Sequence, residues 1–261
     1  VIETTAELVS VNSPEFNEIL SKMPPVNVYT VISIDGSGNS LISIPGVASM
    51  TGSGQEIEKV TWKGLSGNVD FTSGFRNIKS DITSPGVELE GKNGFVSISG
   101  LKGSSDMTYP DGGDETPVGK AKAVIEEVTL RTKEERVGEI DNVMFKNIEF
   151  RGESAENGPT FDSVGGFHVD ELTIEGNPYG PVEFEMAVRN IDKSAWLKFN
   201  EAMQEESAQY GQTGTDAASE AFSALLPEFI KRSPEIEISR LRFTSVDGAL
   251  TGHAFIKIDG S

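Results

Sequence analysis

The sequence predicts a mainly β protein with a few helices, an α+β chain built as a long, curved antiparallel β-meander with a helical hairpin packed on one face. Three observations predict it. Apolar and polar residues alternate in run after run along the 261 residues, the period-two signature of half-buried strands. Short turns rich in Gly, Asn and Asp separate several of these runs, as hairpins require. A hydrophobic fraction of 36% alongside 28 glycines suits an extended sheet with many turns and a large solvated face better than a compact globule.

The elements follow in chain order. SPEFNEILSKMP (Ser13–Pro24) reads as a short helix, with Ser13 as N-cap, Pro14 at the first helical position and Phe16, Ile19 and Leu20 on one face. Strand patterns then occupy Val28–Asp35, Asn39–Val47, Lys59–Phe71, Asp81–Gly91, Gly94–Tyr109, Lys122–Thr132, Asn142–Gly152, Phe167–Gly176 and Pro181–Val188. In the last of these Val182, Phe184, Met186 and Val188 share one face while Glu183 and Glu185 take the other. Asp192 is placed to cap a helix in which Trp196, Phe199 and Met203 recur at spacings three and four, flanked by Leu197. After the polar loop GQTGTD, the stretch Ala217–Pro234 sets Ala218, Phe222, Leu225 and Phe229 on one side of a second helix. Pro227 should kink it or start a new turn, because proline lacks the amide hydrogen that a helix interior uses. Two amphipathic helices in succession are best explained as a hairpin laid over the sheet. A final hairpin turns at Asp247-Gly248, and the step from Ile236 and Ile238 to Leu241 and Phe243 shifts the alternation by one residue. That shift predicts a bulge near Ser239 and Arg240.

Four stretches, VTWKGLSGNVDF, VSISGLKGSSDM, VMFKNIEFRGES and FHVDELTIEGNP, each read as an alternating strand passing through Leu or Ile into a Gly turn. Their uneven spacing does not support a strict solenoid. The expected organisation is a single extended domain over 1–261, divisible into a sheet at 1–165 and a strand-helix-helix-hairpin unit at 166–261. The chain is large enough to bury a core without a disulfide or metal staple.

Charge narrows the function classes. With 22 Lys and Arg against 41 Asp and Glu, the net charge is −19. A field of that sign repels phosphate backbones and anionic lipid headgroups, and argues against nucleic acid as a partner. Solubility is the plain reading of the excess. The absence of cysteine rules out disulfides, thiolate nucleophiles and cysteine-type zinc sites. No window approaches the roughly 18 to 20 apolar residues of a membrane span. The start lacks both Met and signal-peptide order, so the sequence reads as a piece of a longer protein.

Reactive constellations are scarce. For a serine-type hydrolase His168 and His253 are the only candidate bases, both sit inside strand patterns, and no nucleophile-elbow motif accompanies them. A meeting of the two on a metal has no spacing argument behind it. Glu126 with Glu127, Glu134 with Glu135, and Glu205 with Glu206 are adjacent pairs expected on solvated faces. The most specific cluster is DMTYPDGGDETP, where Asp106, Asp111, Asp114 and Glu115 bring oxygen ligands of the kind calcium favours. Its spacing does not match the twelve-residue helix-loop-helix calcium pattern, which DGSGNS (Asp35–Ser40) matches only in its first positions; both read as turns, with calcium at the first left open. No residue is assigned as catalytic, cofactor-binding or metal-binding.

Three stretches together carry a resemblance: NPYGPVEFEMAVRNIDKSAWLKFNEAM, LLPEFIKRSPEIEISRLRFTSVDGALTGHAFIKIDG, and KVTWKGLSGNVDF followed by SPGVELEG. They resemble the YdgA-like family of bacterial domains of unknown function, in which a strand runs into a helix, then a Pro-containing helix and a terminal hairpin. Asn190, Asp192, Ala195 and Leu197 stand at the first set of matching positions, and Pro234, Gly248 and Gly252 at the second. Trp196 and the acidic loop fall outside that pattern. The resemblance implies a Gram-negative envelope protein whose parent is anchored in the inner membrane, with this segment in the periplasm. It carries over no activity and no catalytic residue. The expected function is therefore a non-enzymatic binding or scaffolding surface, for lipid, another apolar ligand or an envelope protein. Two alternatives stand beside it: a hydrolase whose carboxylate pair assembles in three dimensions, and an interaction module that uses sheet edges.

Overall fold

The structure, a computed structural model, describes residues 2–6, 23–50, 57–109, 117–133, 141–210 and 215–260. Its strands are β1 (Ile2–Ala6), β2 (Val26–Ile32), β3 (Gly38–Ile44), β4 (Val47–Met50), β5 (Ile57–Trp62), β6 (Leu65–Phe71), β7 (Asn77–Gly91), β8 (Gly94–Thr108), β9 (Val118–Thr132), β10 (Asn142–Asn157), β11 (Thr160–Ile174), β12 (Asn177–Tyr179) and β13 (Val182–Asp192). Helices α1 (Lys193–Tyr210) and α2 (Thr215–Ile230) follow, then β14 (Glu235–Ser245) and β15 (Gly248–Lys257). All strands join one antiparallel sheet in the order β1-β2-β3-β6-β7-β8-β9-β10-β11-β13-β14-β15, with β4, β5 and β12 off this path. Among the described residues the fold is thus mainly β with two α-helices and a short 3-10 turn at Ser73–Phe75. Of the helix expected over Ser13–Pro24, only Met23 and Pro24 lie among the described residues, and neither is helical.

Several boundaries differ from the sequence reading. The run Lys59–Phe71 is two strands, not one, because Gly64 takes φ +93° between them. The division lets β6 pair with the first half of β7 and β5 with its second half. Conversely, the glycines read as turns at Gly100, Gly103 and Gly152 lie inside strands of 15 and 16 residues. β11 begins at Thr160, seven positions before the alternation becomes visible at Phe167. The intervening FDSVGG carries too few apolar side chains to show a period. The last hairpin turns at Val246-Asp247, one residue earlier than expected, with Ser245 paired to Gly248. The expected bulge is present: Ile238 pairs with Ala254 and Leu241 with Gly252, so Ser239 and Arg240 together oppose His253.

Buried apolar residues are few. Among the described residues they are Val60, Phe71, Phe161, Val169, Ala187, Ile191, Ala195 and Phe229. One cluster gathers Val60 with Met23, Val47, Trp62, Val87 and Leu89. The other joins the helices to the sheet: Phe161, Ile191, Ala195 and Phe229 are buried, with Val188, Trp196, Phe199 and Leu225 packed around them. Trp196 meets Phe161 edge-on at 5.5 Å between ring centroids, and Phe199 meets Phe229 at 6.4 Å. Trp196 and Phe199 therefore pin α1 to the sheet as the sequence indicates, while the side chains of Met203 and Phe222 lie outside the described residues. Pro227 sits inside α2, which continues to Ile230 rather than ending there.

The turn from β13 into α1 is held by Asp192. Its Oδ1 accepts hydrogen bonds from the Ser194 amide (3.0 Å), the Ser194 hydroxyl (2.7 Å) and the Ala195 amide (3.2 Å). Arg232, just beyond α2, donates to its other oxygen at 3.1 Å. One carboxylate thus caps the first helix and ties it to the end of the second. Burial pushes the Asp192 carboxyl upward, but the bonds from Ser194, Ala195 and Arg232 outweigh burial and hold it below its ordinary value. Replacing it (Asp192→Ala) is expected to lower stability by about 1–2 kcal/mol. Urea denaturation followed by Trp196 emission measures this; an unchanged midpoint would show that the cap contributes nothing.

Candidate functional site

Residues directly opposite one another in antiparallel strands project from the same face of a sheet, so the register can be followed from edge to edge. One such row reads Thr4, Val28, Ile42, Gly67, Ile82, Gly103, Ala123, Phe150, Phe167, Phe184, Leu241, Gly252. The row on one side includes Leu101, Ile125, Ile148, Val169, Val182 and Phe243. On the other side lie Ser80, Ser105, Ala121, Gly152, Gly165, Met186 and Ile238, then Ile78, Met107, Gly119, Ser154, Ser163, Val188 and Ile236. Val188 belongs to the helix-packing cluster, so these rows form the face on which α1 and α2 sit. No Asp, Glu, Lys, Arg or His stands in them, in a chain that is 24% charged.

Charge returns at both ends of this helix face. Beyond the Leu101–Ile148 row the alternation slips by one residue: the apolar partners become Val87, Ile98, Val128, Phe145 and Leu172, while Glu127, Lys146 and Glu171 continue the old count. Two positive-φ residues, Gly100 and Asn147, stand at the slip. At the other end Glu156 pairs with Lys193 at 2.8 Å beside the start of α1.

The two helices leave much of the face uncovered. Phe150 is 48% exposed, Phe167 37%, Met186 38%, Leu241 40% and Phe243 38%. Phe150, Phe167 and Phe184 form a ladder with centroid separations of 6.4 and 5.8 Å. Beside this ladder runs a lane of small side chains. Gly103, Gly152 and Gly165 in or next to it have no positive φ, and an added Cβ would come no nearer to its surroundings than 4.0, 4.0 and 3.8 Å. Backbone geometry therefore does not demand glycine there, whereas at Gly166 a Cβ would strike the Phe184 carbonyl oxygen. A strand glycine often marks a bulge, a bend or a close approach by a ligand or another backbone, and no register shift falls at these three. The lane reaches Ser163, Val188 and Ile236, which line an apolar cavity of about 280 Å³ beneath the helices together with Phe161, Trp196, Phe199, Leu226 and Phe229.

The opposite face carries the charge of these strands. Lys79 pairs with Asp106 at 3.0 Å, Lys120 with Glu153 at 3.1 Å, Lys122 with Glu149 at 2.8 Å, and Arg151 with Glu185. Exposed pairs of this kind contribute little stability each, but they keep like charges apart along the ladder. His168 also lies here, its Nε2 2.6 Å from Asp170 and its Nδ1 3.3 Å from Glu183. It is a member of a polar cluster. His253 is exposed at the edge, with β13 and β14 between it and His168, so the two do not converge. Among the described residues no group of three or more His, Cys, Asp or Glu could hold a metal ion.

The remaining sequence candidates divide. Asp106 is a strand residue engaged with Lys79, while Asp111, Asp114 and Glu115 lie outside the described residues, as do Glu134 and Glu135. The Asp35 carboxylate accepts bonds from the Ser37 amide and hydroxyl, which makes Asp35–Ser37 a side-chain-closed turn and lowers its carboxyl. Glu126 pairs with Lys102 at 2.7 Å on a solvated face. Glu205 and Glu206 belong to α1, and their side chains lie outside the described residues. The uncharged face itself was missed as a site, because its residues are named by cross-strand register and not by any local motif.

A family model described as a bacterial protein of unknown function (DUF945) matches residues 1–261, and the chain belongs to that family, to which the YdgA-like resemblance also points. No curated protein and no solved structure matches the chain. No helix among the described residues is long and apolar enough to cross a membrane.

Glu185 gives the charged face a measurable signature. The Ser239 hydroxyl donates to it at 2.6 Å, and this bond, with Arg151 and Arg240 nearby, holds its carboxyl below the ordinary value against burial. Its stabilisation is complete above the ordinary value of 4.5, where the unfolded carboxyl is also ionised. It is lost as pH falls through the lower folded value. Glu185→Gln should therefore unfold more easily at neutral pH by about 1 kcal/mol, with the gap closing in acid. Urea midpoints across pH test this; a gap constant with pH would refute it.

Proposed function

We propose that this member of a bacterial family of unknown function is a non-enzymatic, extracytoplasmic binding protein. Its helix face receives an elongated apolar ligand, in the first instance the acyl chains of a lipid. One observation carries the reading: twelve strands align their residues into an area without a formal charge, about 50 Å across, in a protein of net charge −19. Monomeric proteins rarely leave a large contiguous apolar patch open unless something binds it. The small-residue lane offers a shallow track across the strands, and the Phe150–Phe167–Phe184 ladder offers a wall along it. The extracytoplasmic placement, with an inner-membrane anchor on the parent protein, rests on the family resemblance in the sequence.

On the charged face the carboxylates that line its hollows, Asp106, Glu149, Glu153 and Glu185 among them, are paired with cations, which speaks against the hydrolase alternative. Glu183 and Glu185 are close, but Arg151, Arg240, Ser239 and His168 face them. Among the described carboxyls whose value departs from the ordinary one, each is lowered, the wrong direction for a general acid. Strand addition has one observation in its favour: all ten residues of the edge strand β15 are exposed, with no proline and a lysine only at its end. Were that the main role, amide exchange in β15 would slow with envelope protein extract and remain fast with extracted lipid.

Native mass spectrometry of gently purified protein should show lipid adducts, and a clean apo mass would count against the reading. Placing a charge in the ladder with Phe167→Glu should weaken binding of a fluorescent fatty acid by roughly ten-fold or more, ~1.4 kcal/mol. The same charge reversal on the opposite face, Lys122→Glu, should leave it unchanged. Equal effects of the two variants would remove the helix face as the binding surface.

A further inference from the structure

The cavity beneath the helical hairpin stands at the end of the uncharged face and is of a different kind from it. Phe161, Val188, Trp196, Phe199, Phe229 and Ile236 line it, at a volume of about 280 Å³. Ser163 is the one polar side chain among its described lining residues. Ser163, Val188 and Ile236 belong at once to this lining and to the row beside the small-residue lane, so lane and cavity are continuous.

We infer that this cavity is the terminal seat for the methyl end of a single linear acyl chain, and so sets which chain lengths the protein holds best. The inference rests on the helix face being an acyl-binding surface. Chemistry selects the methyl end: a headgroup or carboxylate would find no charged partner in the lining and would lose its hydration without compensation. Water finds few partners there, since a bound water needs two to four polar groups and the described lining is almost wholly apolar. Size selects one chain, because the volume lies just under the range of about 300–1,000 Å³ typical of whole small-molecule sites. A chain laid along the lane, with its polar end toward the open strands, would run its other end between Trp196 and the sheet.

Trp196 provides the readout. The other tryptophan, Trp62, packs in the separate Val60 cluster and its buried indole nitrogen has no hydrogen-bond partner among the described residues, so Trp62→Phe gives a protein whose indole emission reports the cavity alone. Calorimetry first measures binding of a long-chain fatty acid. The same acid is then added with bromine, a short-range quencher of indole, either near its methyl end or at mid-chain. The expected result is loss of Trp196 emission with the methyl-end bromine and little loss with the mid-chain one. Equal quenching by both, or by neither while the acid binds, would overturn the terminal seat and leave the face as a binding surface. No heat of binding and no quenching would overturn the seat and the acyl-binding reading together. Should Trp62→Phe fail to fold, the comparison runs in the unaltered protein, where Trp62 adds a constant background. As an independent check, Ser163→Leu, which fills the cavity, should weaken binding of the long acid roughly ten-fold and leave a short one unaffected; equal weakening of both would count against the seat.

Discussion

The main-chain ladder joining β7, β8, β9, β10 and β11 is the constraint on which the rest of this structure depends. Each of these strands has 15 or 16 residues, and their pairings run almost without interruption from end to end. In a sheet, a slip of one residue moves every side chain to the other face. The unbroken register therefore determines that Gly103, Ala123, Phe150 and Phe167 project together while Lys102, Lys122, Arg151 and His168 project away from them. Charge segregation is a consequence of the ladder, and the uncharged helix face is a consequence of charge segregation.

Such a sheet is stabilised differently from a layered domain. Among the described residues few side chains are buried; clusters form around Val60 and around Phe161, while Phe71, Val169 and Ala187 are buried outside them. Between these anchors the strands rely on backbone hydrogen bonds and on cross-strand contacts, with the charged pairs adding small increments. Exposed apolar area on the helix face is stabilisation forgone at about 25 cal/mol per Å². A ligand lying on that face would recover part of it, which couples occupancy to the stability of the sheet.

The helical hairpin terminates the open face. Asp192 fixes where α1 begins and, through Arg232, where α2 ends. The aromatic side chains below then close part of the sheet end as a core and leave part as a cavity. Among the described residues the two helices roof the sheet at β11, β13 and β14 and leave apolar side chains of the middle strands exposed.

The sequence by itself determined the β class, most strands, both described helices, the Asp192 cap and the Ser239–Arg240 bulge. Each of these is written in a local pattern: a period of two, a period near 3.6, a capping residue, or a phase shift between Ile238 and Leu241. It also separated Val182, Phe184, Met186 and Val188 from Glu183 and Glu185 within one strand. It left the first half of β11 unseen and took Gly152 for a turn, because Gly165, Gly166 and Ser163 give no hydrophobic signal. Those unseen stretches are where the lane runs, since a surface shaped by missing side chains has no periodicity to detect. Only the tertiary structure decided which faces of successive strands coincide, because register is set by pairing between residues far apart in sequence. For the same reason only the fold could bring Ser163, Trp196 and Ile236 around one cavity.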